Sequence, residues 1–198
     1  MLKMPGAPPL ILASASAARR RVMQDAGLEF EVRVSGVDET LIKRGGGEAR
    51  DLAMALARAK AAAVAEPGAI VIGCDQILLC NGQSFDKPRD LAQAREHLRR
   101  LRGHTHELLT AITCFRDGAE RWHHLAVPRL TMRDFSDHFL DAYLARVGEA
   151  ALHSVGAYRL EGQGAQLFAA IEGEQAAILG LPLLALLAFL RNAGVLVS

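Results

Sequence analysis

A chain of 198 residues, 51% hydrophobic and 23% charged, is long enough to bury one substantial core and falls within the usual range of a single domain. Its 23 Lys and Arg against 22 Asp and Glu leave a net charge of +1, too weak a field to attract duplex nucleic acid or an anionic membrane. Cys74, Cys80 and Cys114 form no C-x-x-C pair, and their odd number argues against a secreted disulfide framework, so a reducing cytoplasm is the expected compartment.

Residues 1–9 carry one Lys, and the apolar stretch after them is broken by Ser14, Ser16 and Arg19, so no signal-peptide core is expected. Leu10-Ile11-Leu12 reads as a short buried strand, followed by a Ser/Ala-rich turn and a helix over residues 17–26 closed by Gly27. Residues 30–34 alternate like a half-buried strand, and Gly45-Gly46-Gly47 marks a flexible connection. An Ala-rich helix is predicted over residues 48–65, with Leu52, Leu56 and Ala59 at helical spacing and Pro67-Gly68 as its stop. Residues 69–74 form a continuous apolar run typical of a central strand, which residues 77–80 extend or neighbour after Asp75-Gln76. Residues 88–101 and 135–147 read as helices, and residues 108–115 and 123–132 as paired strands. Residues 178–190 are apolar throughout but too few to span a bilayer and contain Pro182, so a buried C-terminal helix is expected. Alternating strands and helices, with no repeat, linker or shift in composition, predict one α/β domain with a central mixed sheet flanked by helices.

Polar residues that interrupt apolar elements carry the chemical information, because burying them without a partner is costly. Ser14 to Arg21 places hydroxyls and a helix N-terminus, whose free N–H groups and dipole suit a phosphate, at the end of a strand, and Arg adds bidentate phosphate recognition. An N-cap serine with a solvated basic turn is the plainer explanation of the same residues. Asp38-Glu39 is a carboxylate pair on a loop after a strand, and Asp75 ends an apolar run. Carboxylates from separate elements suit one or two Mg²⁺ ions, which prefer oxygen ligands and keep waters for substrate phosphates. For Glu39 the alternative is surface solvation, and for Asp75 a turn cap. Lys60 and Lys87 are further cations, each of which could equally be solvated. His104, His106, His123 and His124 lack Cys or Glu at zinc-site spacing. Ser14 has no triad partners in sight, and neither a G-x-S-x-G elbow nor a Walker A loop is present.

Read in order, these places resemble the Maf family of nucleotide pyrophosphatases, a likeness that runs from about Leu10 to Ala193. Residues 12–20 resemble its opening L-A-S-x-S-P-x-R-R, Val37-Asp38-Glu39 its V-D-E, and Ala59-Lys60-Ala61 its A-K-A. Gly73-Cys74-Asp75-Gln76 resembles G-x-D-[TQ], Asp86-Lys87-Pro88 resembles G-K-P, and residues 101–106 resemble L-S-G-x-T-H. Glu161-Gly162-Gln163-Gly164 and residues 178–182 are similar to E-G-x-G and the V-G-L-P segment. The resemblance implies a Maf-like, ITPase-like fold and a nucleoside triphosphate substrate cleaved to the monophosphate and pyrophosphate. It implies that Ser14 and Arg19 bind phosphates, that Glu39 and Asp75 hold a divalent metal (Mg²⁺ or Mn²⁺) and the attacking water, and that Lys60 and Lys87 neutralise the triphosphate. Asp75 would be the general base, and a homodimer is compatible with the same pattern. Replacing either lysine is expected to alter turnover without lowering thermal stability.

Asp75-Gln76 and Glu161-Gly162 look more like the branch acting on 7-methyl-GTP than the pyrimidine branch, which carries Asp-Thr and a Gln. Ala17 replaces the family proline, and Ala18 stands where relatives carry Arg or a large aromatic. Glu161 and Gln76 are the candidates for reading a guanine edge, with Ala18 leaving room for a bulky or methylated purine. The alternatives are a dTTP/UTP pyrophosphatase, a nucleotide-binding regulator of cell division and septum formation without turnover, and a structural module using the apolar C-terminal segment.

Overall fold

The computed structural model describes residues 3–197, so the N-terminal reading lies outside the described residues at Met1 and Leu2. Eight strands form one mixed sheet: β1 (Leu10–Leu12), β2 (Glu31–Val32), β3 (Ile70–Cys80), β4 (Gln83–Phe85), β5 (Thr105–Arg116), β6 (Ala119–Ala126), β7 (Arg129–Met132) and β8 (Phe168–Glu172). The hydrogen-bonded order is β2-β1-β3-β5-β7-β8, with β4 paired to β3 and β6 to β5. β1 runs parallel to β2 and β3, and the pairings of β4, β6, β7 and β8 are antiparallel. The helices are α1 (Ala17–Asp25), α2 (Glu39–Arg44), α3 (Ala49–Ala62), α4 (Leu91–Leu101), α5 (Asp137–Val147), α6 (Gln175–Ile178) and α7 (Leu183–Asn192). None of the helices in the described residues is long and apolar enough to cross a membrane.

Contacts divide the chain into two compact units, with two of the boundaries inside β3 and β5 and the others in the connections from β6 to β7 and from β8 to α6. The first comprises Met1–Gln76, Thr110–Ala126 and Glu174–Ser198, the second Ile77–Leu109 and Val127–Gly173.

In the first unit the period of two along β1 and β3 sends alternate side chains to opposite faces of the sheet. Leu10, Leu12, Ile70, Ile72 and Cys74 pack with Met23 of α1 and Leu186 and Leu190 of α7. Ile11, Ala13, Ala69 and Val71 pack with Ala61 of α3 and with Val64. Helices therefore cover both faces of a fully buried strand pair, which explains its unbroken apolar run. α1 starts where the Ser16 hydroxyl caps the Arg19 N–H at 3.3 Å, and the chain leaves it through Gly27 at φ +70°. In the second unit, α4 and α5 each bury an apolar stripe, and Arg95 of α4 pairs with Asp141 of α5 at 2.7 Å.

Three expectations need correction. Residues 77–80 extend the strand, β3 running through Asp75 and Gln76 to Cys80, so Asp75 does not end it and is not a turn cap. Glu39 is not on a loop: Asp38 accepts the Thr40 N–H at 2.9 Å and caps α2, whose first residue is Glu39. The C-terminal apolar segment is not one helix, since α6 ends at Ile178 in a turn through Gly180 at φ +97°, and Pro182 then precedes α7. The Glu174 carboxylate then accepts the Leu184 N–H at 2.9 Å, supplying a cap that proline lacks.

Candidate active site

The centre of the first unit is a buried charge cluster built by the closeness of α3 to β3. A Cβ on Gly73 would lie 2.2 Å from the Ala57 carbonyl oxygen and 2.9 Å from the Ala61 Cβ, so only glycine lets the helix backbone approach the strand this far. Lys60, between those two alanines, then reaches Asp75, two residues along β3 and on the same face. Lys60 Nζ donates to Asp75 Oδ1 at 2.6 Å and lies 2.7 Å from Glu39 Oε1. The lysine and Asp75 side chains are 12% and 9% exposed, whereas Glu39 is 41% exposed and meets solvent.

Burial pushes the Asp75 carboxyl above the ordinary aspartate range and is the largest influence on it. The charge and hydrogen bond of Lys60 and the charge of Arg19 oppose that shift, while Glu39 reinforces it. A carboxylate held this way is poised to exchange a proton, because its charged form is favoured by neighbours and disfavoured by its surroundings. The Cys74 thiol beside it is pushed up to about 11, again chiefly by burial, which makes it an unreactive packing residue.

Arg19 is fixed from three directions. Its Nε donates to the Gly180 carbonyl at 2.8 Å, and its Nη1 donates to the Cys74 carbonyl at 3.0 Å and to Ser14 Oγ at 3.2 Å. A guanidinium has five N–H donors, so the two on Nη2 remain for an anion. Ser14 Oγ also accepts the Ser16 N–H at 3.2 Å and is buried, so it orients both the arginine and the start of α1. Ala18 lies in the first turn of α1 and is half-buried.

Gln76 lies on the face of β3 opposite Asp75, by the period of two along the strand. Its Nε2 donates to Thr110 Oγ1 at 2.8 Å and to the Ala177 and Ile178 carbonyls, each at 3.1 Å. Three oxygens around one atom require the amide nitrogen there, so its donors are spent inside the protein and only the carbonyl oxygen is left for a base. Thr110 Oγ1 donates in turn to the Ala177 carbonyl at 3.0 Å.

Ser14, Arg19, Glu39, Lys60, Asp75 and Gln76 are thus all in the first unit. Lys87 and Glu161 belong to the second. Lys87 is exposed in the connection between β4 and α4. Glu161 accepts from Arg159 at 3.3 Å and lines a pocket of about 240 Å³ together with Tyr143, Val147, Arg159 and Gly162. Sequence reasoning missed Thr110, and it included Gly180 in a motif without giving it a duty. Thr110 stands in an apolar strand where a buried hydroxyl must find a partner, which is the signal that could have marked it. Gly180 has φ +97°, and a Cβ there would lie 3.0 Å from Arg19 Nε, so glycine is required for the turn and for the contact.

Known proteins match nearly the whole chain. Residues 9–193 match the family of Maf-like proteins. The chain is 51% identical over 197 residues to the nucleoside triphosphate pyrophosphatase of Rhodospirillum rubrum, covering 96% of this chain and 98% of that protein. It is 52% identical over 196 residues to the nucleoside triphosphate pyrophosphatase of Gluconobacter oxydans, covering 96% and 97%. Against the 7-methyl-GTP pyrophosphatase of Rhizobium meliloti it is 48% identical over 193 residues, covering 94% and 97%. With a family match of this extent, the chain belongs to the Maf-like protein family.

Proposed function

We propose that this protein is a nucleoside triphosphate pyrophosphatase, a hydrolase that converts 7-methyl-GTP to the monophosphate and pyrophosphate, with the whole chain acting as one catalytic domain. The observation that carries the reading is the cluster of Asp75, Lys60 and Glu39, with a buried carboxylate whose ionisation depends on the cations around it. Such a cluster is costly to bury, and phosphoryl transfer is a chemistry that uses each of its parts. Relatives named for this activity, at about half identity across the chain, support the same reading.

Asp75 accepts a proton from water as the water oxygen bonds to the α-phosphorus. The bond from that phosphorus to the bridging oxygen breaks, and its electron pair leaves with pyrophosphate. The two free Nη2 donors of Arg19 and the N-terminus of α1 take phosphate oxygens, and Lys60 offsets negative charge as it spreads over the reacting phosphate. Lys87 neutralises the rest of the triphosphate.

Asp75 and Glu39 also fit a divalent metal. Both are hard oxygen donors and both reach the Lys60 ammonium, which an ion taking their oxygens would displace toward the substrate phosphates. Among the described residues no group of three or more His, Cys, Asp or Glu could hold an ion, so substrate phosphates and water would complete the shell, the usual arrangement for Mg²⁺. When bound, Mg²⁺ or Mn²⁺ would supply Lewis-acid stabilisation of the phosphate and lower the pKa of the attacking water.

For the base, Glu161 is the reading residue. Guanine presents neighbouring N–H donors that a carboxylate accepts, whereas uracil and thymine present a donor flanked by carbonyls that repel it, and N7-methylation adds a favourable positive charge. The test is pyrophosphate release from a panel of nucleotides with Mg²⁺ or Mn²⁺. The wild type should prefer 7-methyl-GTP, and Glu161→Gln should shift the ratio of 7-methyl-GTP to UTP turnover by about ten- to a hundredfold. A wild-type preference for UTP or dTTP would overturn the base assignment, and nucleotide binding without release would favour a regulator.

A further inference from the structure

We infer that Thr110 and Gln76 are positioning residues for Arg19, acting through the backbone of the turn that joins α6 to α7. This inference rests on the hydrolase reading, in which Arg19 takes a substrate phosphate. The turn is held at both ends. At its start, Gln76 Nε2 donates to the Ala177 and Ile178 carbonyls at 3.1 Å, and Thr110 Oγ1 donates to the Ala177 carbonyl at 3.0 Å. Two residues later the Gly180 carbonyl receives Arg19 Nε at 2.8 Å. α6 is only four residues long, Gln175–Ile178, and the turn after it is closed by the Gly180 N–H on the Ala177 carbonyl and the Leu181 N–H on the Ala176 carbonyl, each at 3.0 Å. The buried Thr110 hydroxyl and the Gln76 amide hold the same Ala177 carbonyl and so tie that turn to β5 and β3.

The two residues work as one unit. Gln76 offers two N–H hydrogens to three oxygens, and the Thr110 oxygen accepts one while passing its own hydrogen to Ala177. Without the hydroxyl, the amide loses an acceptor and can rotate, and Ala177 loses a donor. The consequence at Gly180 is a carbonyl no longer held where Arg19 Nε meets it. Arg19 then keeps its Cys74 and Ser14 contacts, both made through Nη1, but loses the one that stops rotation about that nitrogen. Nη2, the end left for substrate, becomes imprecise. Asp75 and Lys60 meet on the opposite face of β3, and their hydrogen bond is made outside this network.

Thr110→Val keeps size and branching and removes only the hydroxyl, and Thr110→Ser restores it. Two readouts decide the matter, a KM-against-kcat split with 7-methyl-GTP and the exchange rate of the Arg19 Nε–H in an NMR spectrum, assigned by its loss in Arg19→Lys. Thr110→Val should raise KM about three- to tenfold with kcat changed less than about threefold, a fraction of the effect of losing a charge-assisted hydrogen bond outright, and should accelerate Nε–H exchange at least about tenfold. Thr110→Ser should return both to near wild type. Gly180→Ala, which forces a strained φ and crowds Arg19, should raise KM further if it folds. An unchanged KM and unchanged Nε–H exchange in Thr110→Val would overturn the inference, as would equal losses in kcat and kcat/KM. A wild type that turns over no nucleotide would overturn the hydrolase reading instead, and the Nε–H exchange would still decide whether Thr110 positions Arg19.

Discussion

The two units bury polar groups in opposite ways. The first encloses an ionisable carboxylate and a lysine, whereas the buried polar side chains among the described residues of the second are the two imidazoles His97 and His106, alongside the tyrosines Tyr143 and Tyr158. In the second unit the surroundings hold these groups neutral: burial lowers His106 to about 4, raises Tyr143 to about 12 and raises Tyr158 further. Its ion pairs, such as Arg95 with Asp141, lie at the surface, where they contribute little to stability. A scaffold avoids charge in its interior because desolvation costs more than pairing returns. The first unit departs from that rule at one place, and the departure marks where the chemistry is proposed.

The sharpest way to break the contrast is to remove the charge and keep the shape. Asp75→Asn should lower kcat by about 10²- to 10⁴-fold while the protein remains folded, since the amide neither accepts the proton nor holds a cation. A kcat within about threefold of wild type would show that Asp75 is not the base.

Lys60→Met comes next. The sequence alone gave no structural duty to this lysine, but its contacts with two carboxylates do, so the variant should lose about 1–3 kcal/mol in denaturant unfolding as well as turnover. Adding Asp75→Asn to it should recover most of that stability, because the carboxylate left without its cation is then gone. A Lys60→Met protein as stable as wild type would mean that the cluster is solvated rather than buried.

A smaller effect should come from the second unit. His106 Nε2 is hydrogen-bonded to the Tyr158 hydroxyl at 2.8 Å, and its Nδ1 has no partner among the described residues, so a second proton would be buried without an acceptor. Its folded pKa of about 4 lies below the ordinary 6.5, so this stability is fully present above pH 6.5 and is lost as pH falls toward 4. Between pH 7 and pH 5 the loss should be on the order of 2 kcal/mol, and His106→Gln should remove that slope from the unfolding free energy. A slope unchanged by the substitution would assign the pH dependence elsewhere.

Much of the first unit was legible in the sequence, because strong local signals agreed there. The apolar run of β3, the Ala-rich α3 and the Ser-capped α1 each carry their own periodicity or cap, and the family pattern falls on those elements. What escaped depended on partners far away in the chain. Asp75 and Gln76 looked like an interruption because two adjacent polar residues rarely share a buried strand, and only a Lys60 on one face and the Ala177 and Ile178 carbonyls on the other make that possible. The Asp38 cap of α2 was present as a signal but was read as a metal-site loop. β4 and β8 are short, and β8 is mostly exposed, so neither carries the alternation that marks a strand. In Glu161 the sequence offered a residue type and a motif, while its pairing with Arg159 needed the structure.

The central claim is that the buried cluster directs water to the α-phosphorus of a nucleoside triphosphate. It is tested most directly by turning over 7-methyl-GTP in ¹⁸O-labelled water with Mg²⁺ and locating the label by mass spectrometry. The account predicts one ¹⁸O atom in the nucleoside monophosphate, none in the pyrophosphate, and no labelled product above background with Asp75→Asn. Label in the pyrophosphate, or equal labelling by the Asp75→Asn protein, would contradict it.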